Sequence, residues 1–65
     1  MRPLSPRERQ VLELIAADKS DREIADAIQV AYQTVRGYVK TIYRKLGVHT
    51  RVGAALAWMQ SNSAN

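Results

Sequence analysis

Apolar residues recur at helical spacing in the first half of the chain, and each apolar stretch follows a signal that starts a helix. Ser5 and Glu8 form a capping-box pattern around a proline, in which each side chain can bond the other residue's backbone N–H. Ser20 and Glu23 repeat this pattern further along. The apolar positions after each box have the spacing of one helix face. These signals predict helices over about residues 6 to 17 and 21 to 28.

The second half of the chain predicts two more helices. Between residues 32 and 46 the apolar side chains fall within an arc of about 60° on a helical wheel, with polar and basic side chains opposite them. Gly47 then fits the left-handed residue that ends a helix, and Thr50 suits the cap of a fourth helix over about residues 51 to 60. The prediction is an all-α, four-helix fold in a single domain over residues 1–65, with its core between residues 4 and 60 and a frayed tail over 61–65.

Charges are divided unevenly along the chain. Residues 1–26 carry all six acids and five of the ten bases, whereas residues 27–65 carry five bases and no acid. Three of these bases, Arg36, Lys40 and Arg44, lie four residues apart on the polar side of the predicted third helix and form a basic stripe. Because no acid lies near them in the sequence, we expect the basic stripe to be unpaired within the chain and to attract an external anion.

Size and composition exclude several classes of protein. A chain of 65 residues has little room for a deep pocket, and with no cysteine and a single histidine it cannot assemble a thiolate metal site or a histidine cluster. We therefore expect no enzymatic activity and no cofactor. No apolar run approaches the length of a membrane span or a signal peptide, which predicts a cytoplasmic protein with no membrane partner.

The predicted second and third helices, with a three-residue connection, have the form of a helix-turn-helix motif. In this motif the second helix of the pair enters the major groove of DNA, where arginine and lysine donate to guanine or to phosphates. The alternatives are a solvated helix face, or a helical protein-interaction module that binds an acidic partner. An RNA-binding domain is disfavoured because no aromatic stacking platform accompanies the basic residues.

Three segments of the chain carry distinctive motifs, which are in order LSPRERQVLELIA, KSDREIADAI and TVRGYVKTIYRKLGV. Together they resemble the LuxR/FixJ/GerE-type helix-turn-helix domain of bacterial transcription regulators. The family pattern runs L-[ST]-x-R-E-x-x-V-L, then S-[ND]-x-E-I-A, then T-V-[KR]-x-[HY]-x-x-x-I-x-x-K-L, and the resemblance covers about residues 4 to 58. It implies sequence-specific binding of double-stranded DNA by a transcription regulator, as in a response-regulator effector domain, that dimerises on a pseudo-palindromic site. RNA polymerase is a further candidate partner.

The resemblance also implies roles for residues of the third helix, which it places in the major groove. Arg36, Gly37 and Lys40 occupy positions that face bases. Two interpretations of Gly37 stay open: its missing side chain allows close approach to the groove floor, or the position is exposed and its side chain hardly matters. Contacts to the DNA backbone are expected from Ser20, Arg22, Gln33, Thr34, Tyr38, Arg44 and Lys45.

Some of these positions have a second explanation or depart from the family pattern. Tyr38 can equally pack at the edge of the core, and Arg44 and Lys45 can complement the negative end of the helix dipole. Asp18 stands where the family has a glycine before the second helix, so the turn there must form without it. Ala31 replaces the usual Ser or Thr cap of the third helix, which costs about 1 kcal/mol.

The resemblance implies that the fourth helix mediates dimerisation on DNA. Its small residues allow close helix approach and its tryptophan can anchor a contact. The alternative is that its larger apolar side chains close the core and leave the tryptophan half exposed. One short helix buries little area, so the homodimer is expected to be weak without DNA. The expected interface residues are Gly53, Ala54, Ala57 and Trp58.

Overall fold

The computed structural model describes residues 3–63, and within this range it has four α-helices and no β-strand. The helices are α1 (Pro6–Ala16), α2 (Asp21–Ile28), α3 (Tyr32–Leu46) and α4 (Arg51–Ser63). The predicted all-α fold is confirmed, and α2 and α3 have the predicted bounds. α1 ends one residue earlier than predicted, with residue 17 as its cap.

The fourth helix is longer than the sequence pattern suggested. α4 continues past the predicted end at Gln60 because no glycine or proline interrupts the chain after Gly53. Residues 61 to 63, which were predicted to belong to a frayed tail, are therefore helical. The rest of the predicted tail, residues 64 and 65, lies outside the described residues.

Both predicted capping boxes form, with the same geometry. In each, the backbone N–H of the glutamate donates to the serine Oγ at 3.1 Å, and the backbone N–H of the serine donates to the glutamate Oε1 at 2.8 Å. The first box joins Ser5 and Glu8, and the second joins Ser20 and Glu23. At α4, Thr50 Oγ1 accepts the backbone N–H of Gly53 at 2.9 Å, as predicted for a cap.

Three residues between the helices take the left-handed backbone conformation. Gly47 ends α3 with φ 70°, which confirms its predicted role. Asp18 has φ 67°, so an aspartate supplies the turn for which the family pattern has glycine. Gln29 has φ 58° at the end of α2, and Ala31 leaves α3 without a side-chain cap. Residues 29–31 thus form the short connection between α2 and α3 in the helix-turn-helix motif.

One apolar core holds the four helices together. α1 packs against α3 and α4, and α2 packs on α3. The predicted apolar faces of the first three helices supply all but one of the buried apolar residues, because each face repeats every three to four positions. The buried members are Val11, Leu12, Ile15, Ile24, Ala25, Ile28, Val35, Val39, Ile42 and Ala54.

Candidate nucleic-acid interface

α3 turns one side to the core and the opposite side to solvent. Val35 and Ile42 are fully buried and Val39 is nearly so. The side away from them, called here the outer face of α3, is exposed to solvent. Its exposed residues are Gln33, Thr34, Arg36, Gly37, Lys40 and Arg44.

The three predicted base-facing residues lie close together on the outer face of α3. Arg36, Gly37 and Lys40 are all exposed. No atom outside the local backbone lies within 4 Å of the position that a Cβ on Gly37 would take. Among the residues that the structure describes, no acid pairs with Lys40 or Arg44. Both cations are therefore available to an external anion.

The expectation that the basic stripe is unpaired within the chain is wrong for Arg36. Its Nη1 donates to Asp21 Oδ2 at 3.1 Å, and Arg51 Nη1 donates to Asp21 Oδ1 at 2.7 Å. Folding brings Asp21, at the start of α2, beside two arginines that lie 15 and 30 residues further along the chain. Burial acts to raise the pKa of Asp21, but hydrogen bonds from Arg51 and Arg36 outweigh it and hold the pKa below its ordinary value.

Lys45 also has a partner within the chain, and this pairing counts against its expected contact with the DNA backbone. Its Nζ donates to Glu8 Oε1 at 2.8 Å and to the carbonyl of Pro3 at 3.3 Å. The side chain of Glu8 is only 9% exposed. The hydrogen bond from Lys45, together with that from the backbone N–H of Ser5, lowers the pKa of Glu8 against the opposite effect of burial. The charge of Lys45 is thus neutralised in the junction between α3 and α1.

The remaining candidates for backbone contacts flank the outer face of α3. Ser20 and Arg22 are exposed at the start of α2, and the guanidinium of Arg22 lies 5.3 Å from the ring centre of Tyr32. This cation–π contact ties α2 to the uncapped first turn of α3. Tyr38 is half-buried and packs against the core, as its alternative explanation requires.

One histidine that the predicted contacts omit lies next to the basic stripe. His49 is exposed in the corner after α3, where it lines a surface depression with Lys40 and Arg44. The corner has no periodicity that would fix the side on which His49 lies, so the sequence favours an exposed loop histidine over a phosphate contact. In the structure its position extends the polar surface beside the basic stripe to the end of α3.

The predicted dimer surface on α4 needs correction. Ala54 is fully buried in the core, so it cannot contact a second copy. A Cβ added to Gly53 would lie 3.1 Å from Thr50 Oγ1, which is closer than an ordinary contact. Glycine at this position therefore lets the first turn of α4 pack against its capping residue, Thr50. Ala57 and Trp58 are partly buried, and Trp58 packs on the core.

The larger apolar residues of α4 point to solvent and do not close the core, contrary to the alternative interpretation. Val52 is 69% exposed, Leu56 50% and Met59 56%. Their spacing of four and then three residues places them along one side of the helix. These three residues are called here the apolar stripe of α4. This stripe is not evident from the sequence because the small residues Gly53 and Ala54 suggest a contact surface, whereas Ala54 is a core residue and Gly53 packs beside Thr50 and Val48.

Neither a metal site nor a membrane-spanning helix is found in the part of the chain that the structure describes. No three His, Cys, Asp or Glu side chains there are grouped so that they could hold a metal ion. No described helix is both long and apolar enough to cross a membrane.

Comparisons with known proteins agree with this geometry. Residues 2–58 match the family model of bacterial regulatory proteins of the luxR family. The solved structure of the transcription factor GerE superposes with a TM-score of 0.82 and 31% identity, covering 94% of this chain and 92% of that one. The spore germination protein GerE of Bacillus subtilis is 40% identical over 53 residues, which are 82% of this chain and 72% of GerE.

Longer regulators are also similar to this chain. The probable HTH-type transcriptional regulator GfsR of Streptomyces halstedii is 46% identical over 56 residues, which are 86% of this chain and 23% of GfsR. The nitrate/nitrite response regulator NarP of Escherichia coli is 34% identical over 61 residues, which are 94% of this chain and 28% of NarP. The chain thus spans about a quarter of the length of these regulators.

Fold and outer surface together define a helix-turn-helix DNA-binding domain of the kind found in transcription regulators. The match covers nearly the whole chain and includes all four helices at least in part. The chain belongs to the luxR family of bacterial regulatory proteins.

Proposed function

We propose that this chain binds a specific double-stranded DNA sequence by placing α3 in the major groove. The observation that carries the proposal is the outer face of α3, which is exposed, cationic and supported from behind by the buried residues Val35, Val39 and Ile42. A rigid helix with this form fits the width of the major groove. The setting is the bacterial cytoplasm, with transcription as the regulated process and RNA polymerase as a candidate partner.

Base recognition is assigned to Arg36 and Lys40. Both can donate to the O6 and N7 of guanine, which is the commonest specific contact of these side chains. Gly37 lies between them on the outer face, and the open space above it allows the helix backbone to approach the bases. The cationic side chains on either side then reach the base edges without the helix being held away from the groove floor.

Contacts with the DNA backbone are assigned to residues around the base-reading group. Arg44 has no acid partner among the described residues and lies at the far end of the basic stripe. Ser20 and Arg22 lie at the N-terminus of α2, where the helix dipole favours a phosphate and the carboxylates of Asp21 and Glu23 partly offset this attraction. Gln33, Thr34 and Tyr38 complete the set. Lys45 is left out because Glu8 already neutralises its charge.

Two copies of the chain are proposed to bind one DNA site. The apolar stripe of α4 supplies a self-complementary contact for a two-fold dimer, with Ala57 and Trp58 at its edge. Three side chains on one helix bury less area than a stable free dimer needs, so the dimer forms on DNA and is weak in its absence.

Selection of bound duplexes from a random pool tests the proposal most directly. The expected product is a pseudo-palindrome whose two half-sites lie about one helical turn apart, on the order of 10 base pairs. Half-site sequence and spacing are both obtained from this one experiment. Retardation that vanishes with excess random duplex at low salt, with no enriched sequence, would instead favour a module that binds an acidic protein.

Arg36→Ala and Arg44→Ala are expected to affect DNA binding in different ways. Arg36→Ala should relax the preference at one base pair by about 1 to 3 kcal/mol, because a base contact is lost. Arg44→Ala should weaken binding to all duplexes about equally and reduce the slope of log affinity against log salt by about one. Titrations of the selected duplex and a scrambled duplex over a salt series measure both effects. Equal weakening of both duplexes by Arg36→Ala would contradict base reading.

Gly37→Ala is expected to make the fold more stable and to lower its affinity for DNA. Alanine should raise the free energy of unfolding by about 1 kcal/mol, because glycine is a poor helix former and no atom obstructs the new Cβ. Affinity for the selected duplex should fall several-fold, because the added methyl meets the groove floor. Thermal unfolding and a titration of the same preparation measure the two effects. A more stable protein with unchanged affinity would mean that the position is merely exposed.

A further inference from the structure

Asp21 makes a contact that the DNA-binding proposal does not use. Its carboxylate lies between two guanidinium groups, with one oxygen on Arg36 and the other on Arg51. The side chain of Asp21 is 10% exposed, whereas those of Arg36 and Arg51 are 53% and 36% exposed. The Asp21 carboxylate is therefore the least exposed group and the centre of this arrangement, and Arg36 is the more exposed of its two partners.

The two arginines are held to different extents. Arg51 donates to Asp21 through Nη1 and to the backbone carbonyl of Lys19 through Nη2. Arg36 has a single hydrogen bond, from Nη1 to Asp21. A guanidinium has several N–H donors in a rigid fork. One hydrogen bond therefore orients the Arg36 guanidinium and leaves its other donors free. If Arg36 moved away, Asp21 would still keep Arg51 as a partner.

Asp21 also lies where its charge can act on a bound duplex. It lines a surface depression at the start of α2 together with Ser20, Arg22 and Tyr32. A phosphate that drew Arg36 to itself would come close to the Asp21 carboxylate and be repelled by it. The edge of a guanine carries no net charge and meets no such repulsion. The Asp21 carboxylate thus disfavours a phosphate as the acceptor for Arg36 and does not disfavour the edge of a guanine.

We propose that Asp21 is a specificity-determining positioning residue, which holds Arg36 so that its guanidinium meets a base edge in preference to a phosphate. The inference rests on the proposed base-reading role of Arg36. It assigns to α2 a part in choosing the DNA sequence, although Asp21 itself need not touch a base. The interaction that it suppresses is the non-specific one between Arg36 and the DNA backbone.

Asp21→Asn in the 65-residue chain tests this inference. The probes are the duplex selected by the wild-type chain and a scrambled duplex of the same length and composition. Affinity for the scrambled duplex should rise several-fold with a salt slope steeper by about one, since Arg36 gains a phosphate. The ratio of selected to scrambled affinity should fall about fivefold or more. An unchanged ratio overturns the proposal.

The fold is expected to tolerate this change. The family pattern accepts Asn as well as Asp at this position, and an asparagine amide can still accept a hydrogen bond from Arg51. Thermal unfolding verifies this, and Asp21→Ser provides a second variant without the charge.

Arg51→Gln serves as a matched control, because it removes the other guanidinium from Asp21 while leaving Arg36 paired. The affinity ratio should stay near wild type in Arg51→Gln, and a fall as large as in Asp21→Asn would overturn the positioning role.

A double-mutant cycle with Arg36→Ala decides whether Asp21 acts through Arg36. In a chain that already carries Arg36→Ala, the added Asp21→Asn should leave the affinity ratio unchanged. An equal fall with and without Arg36 would mean that the Asp21 charge acts on DNA directly, which overturns the positioning role. If Arg36→Ala lowers the ratio and Asp21→Asn does not, only this inference fails. If Arg36→Ala itself leaves the ratio unchanged, the base-reading proposal fails with it.

Discussion

Glu8→Gln is expected to lower the free energy of unfolding by about 2 kcal/mol, far more than the same change at Glu23. Both glutamates close a capping box with identical hydrogen-bond distances of 2.8 and 3.1 Å. Glutamine can serve in a capping box, so the change leaves both boxes intact. The difference between the two positions is that Glu8 is buried and accepts from Lys45, whereas Glu23 is exposed.

The loss arises from the cation that Glu8→Gln leaves behind. Lys45 is only 27% exposed, so its ammonium cannot recover full hydration when the carboxylate is removed. For a domain of this size, about 2 kcal/mol corresponds to a fall in Tm of about 8 to 16 °C. Thermal and urea unfolding of the two variants measure the difference. A fall in Glu23→Gln as large as that in Glu8→Gln would show that the capping box, and not the ion pair, is the source of stability.

The ion pairs of Glu8 and Asp21 make the free energy of unfolding depend on pH in a predictable direction. The pKa of Glu8 is lowered in the folded state from its ordinary value of 4.5, and that of Asp21 is lowered from 3.8. A lowered pKa means that the unfolded chain binds more protons, so the stabilisation is fully present above the unfolded pKa values. It is lost as the pH falls below about 4.5 and through the folded pKa values. The acid-induced loss should be smaller in Glu8→Gln, because that variant has no carboxylate to protonate at this position.

The sequence was sufficient to predict the fold because its signals are local. Two capping boxes, the glycine after α3 and the helical spacing of apolar residues each act within a few positions, and they agree with one another. The outer face of α3 follows from the same spacing, since the side opposite a buried face is exposed. The extra turn of α4 was missed because the chain contains no stop signal there, and the polar composition after Gln60 looked like a tail.

The ion pairs were beyond prediction because they join residues that are far apart in sequence. Asp21 pairs with Arg36 and Arg51, and Glu8 pairs with Lys45, across separations of 15, 30 and 37 residues. The division of charge between the two halves of the chain suggested an unpaired basic stripe. Packing instead brings the acidic half against part of the basic half, and only Lys40 and Arg44 of the stripe keep no acid partner among the described residues. The unpaired part of the basic stripe is therefore smaller than the sequence implied.

Leu56→Asp is expected to weaken binding to a two-half-site duplex by about 100-fold while leaving binding to a single half-site nearly unchanged. Leu56 is the central residue of the apolar stripe of α4 and is 50% exposed, so the substitution spares the core and places a charge in the proposed contact between two copies. Linking two binding events through such a contact multiplies affinity by about 10² to 10⁴ without any new contact to DNA.

The single half-site is the internal control for this prediction. Any general repulsion between the new carboxylate and DNA lowers affinity for the half-site as well, whereas loss of the dimer contact lowers affinity only for the paired site. Titrations of both duplexes with both proteins give the two effects separately, and the stoichiometry of the complex shows whether the second copy is lost. Sedimentation at micromolar concentration gives the oligomeric state of the protein without DNA. The protein is expected to be mostly monomer, because the apolar stripe of α4 is small. Equal affinity of wild type and Leu56→Asp for the paired site would mean that α4 does not join the two copies, and the apolar stripe would then need another partner.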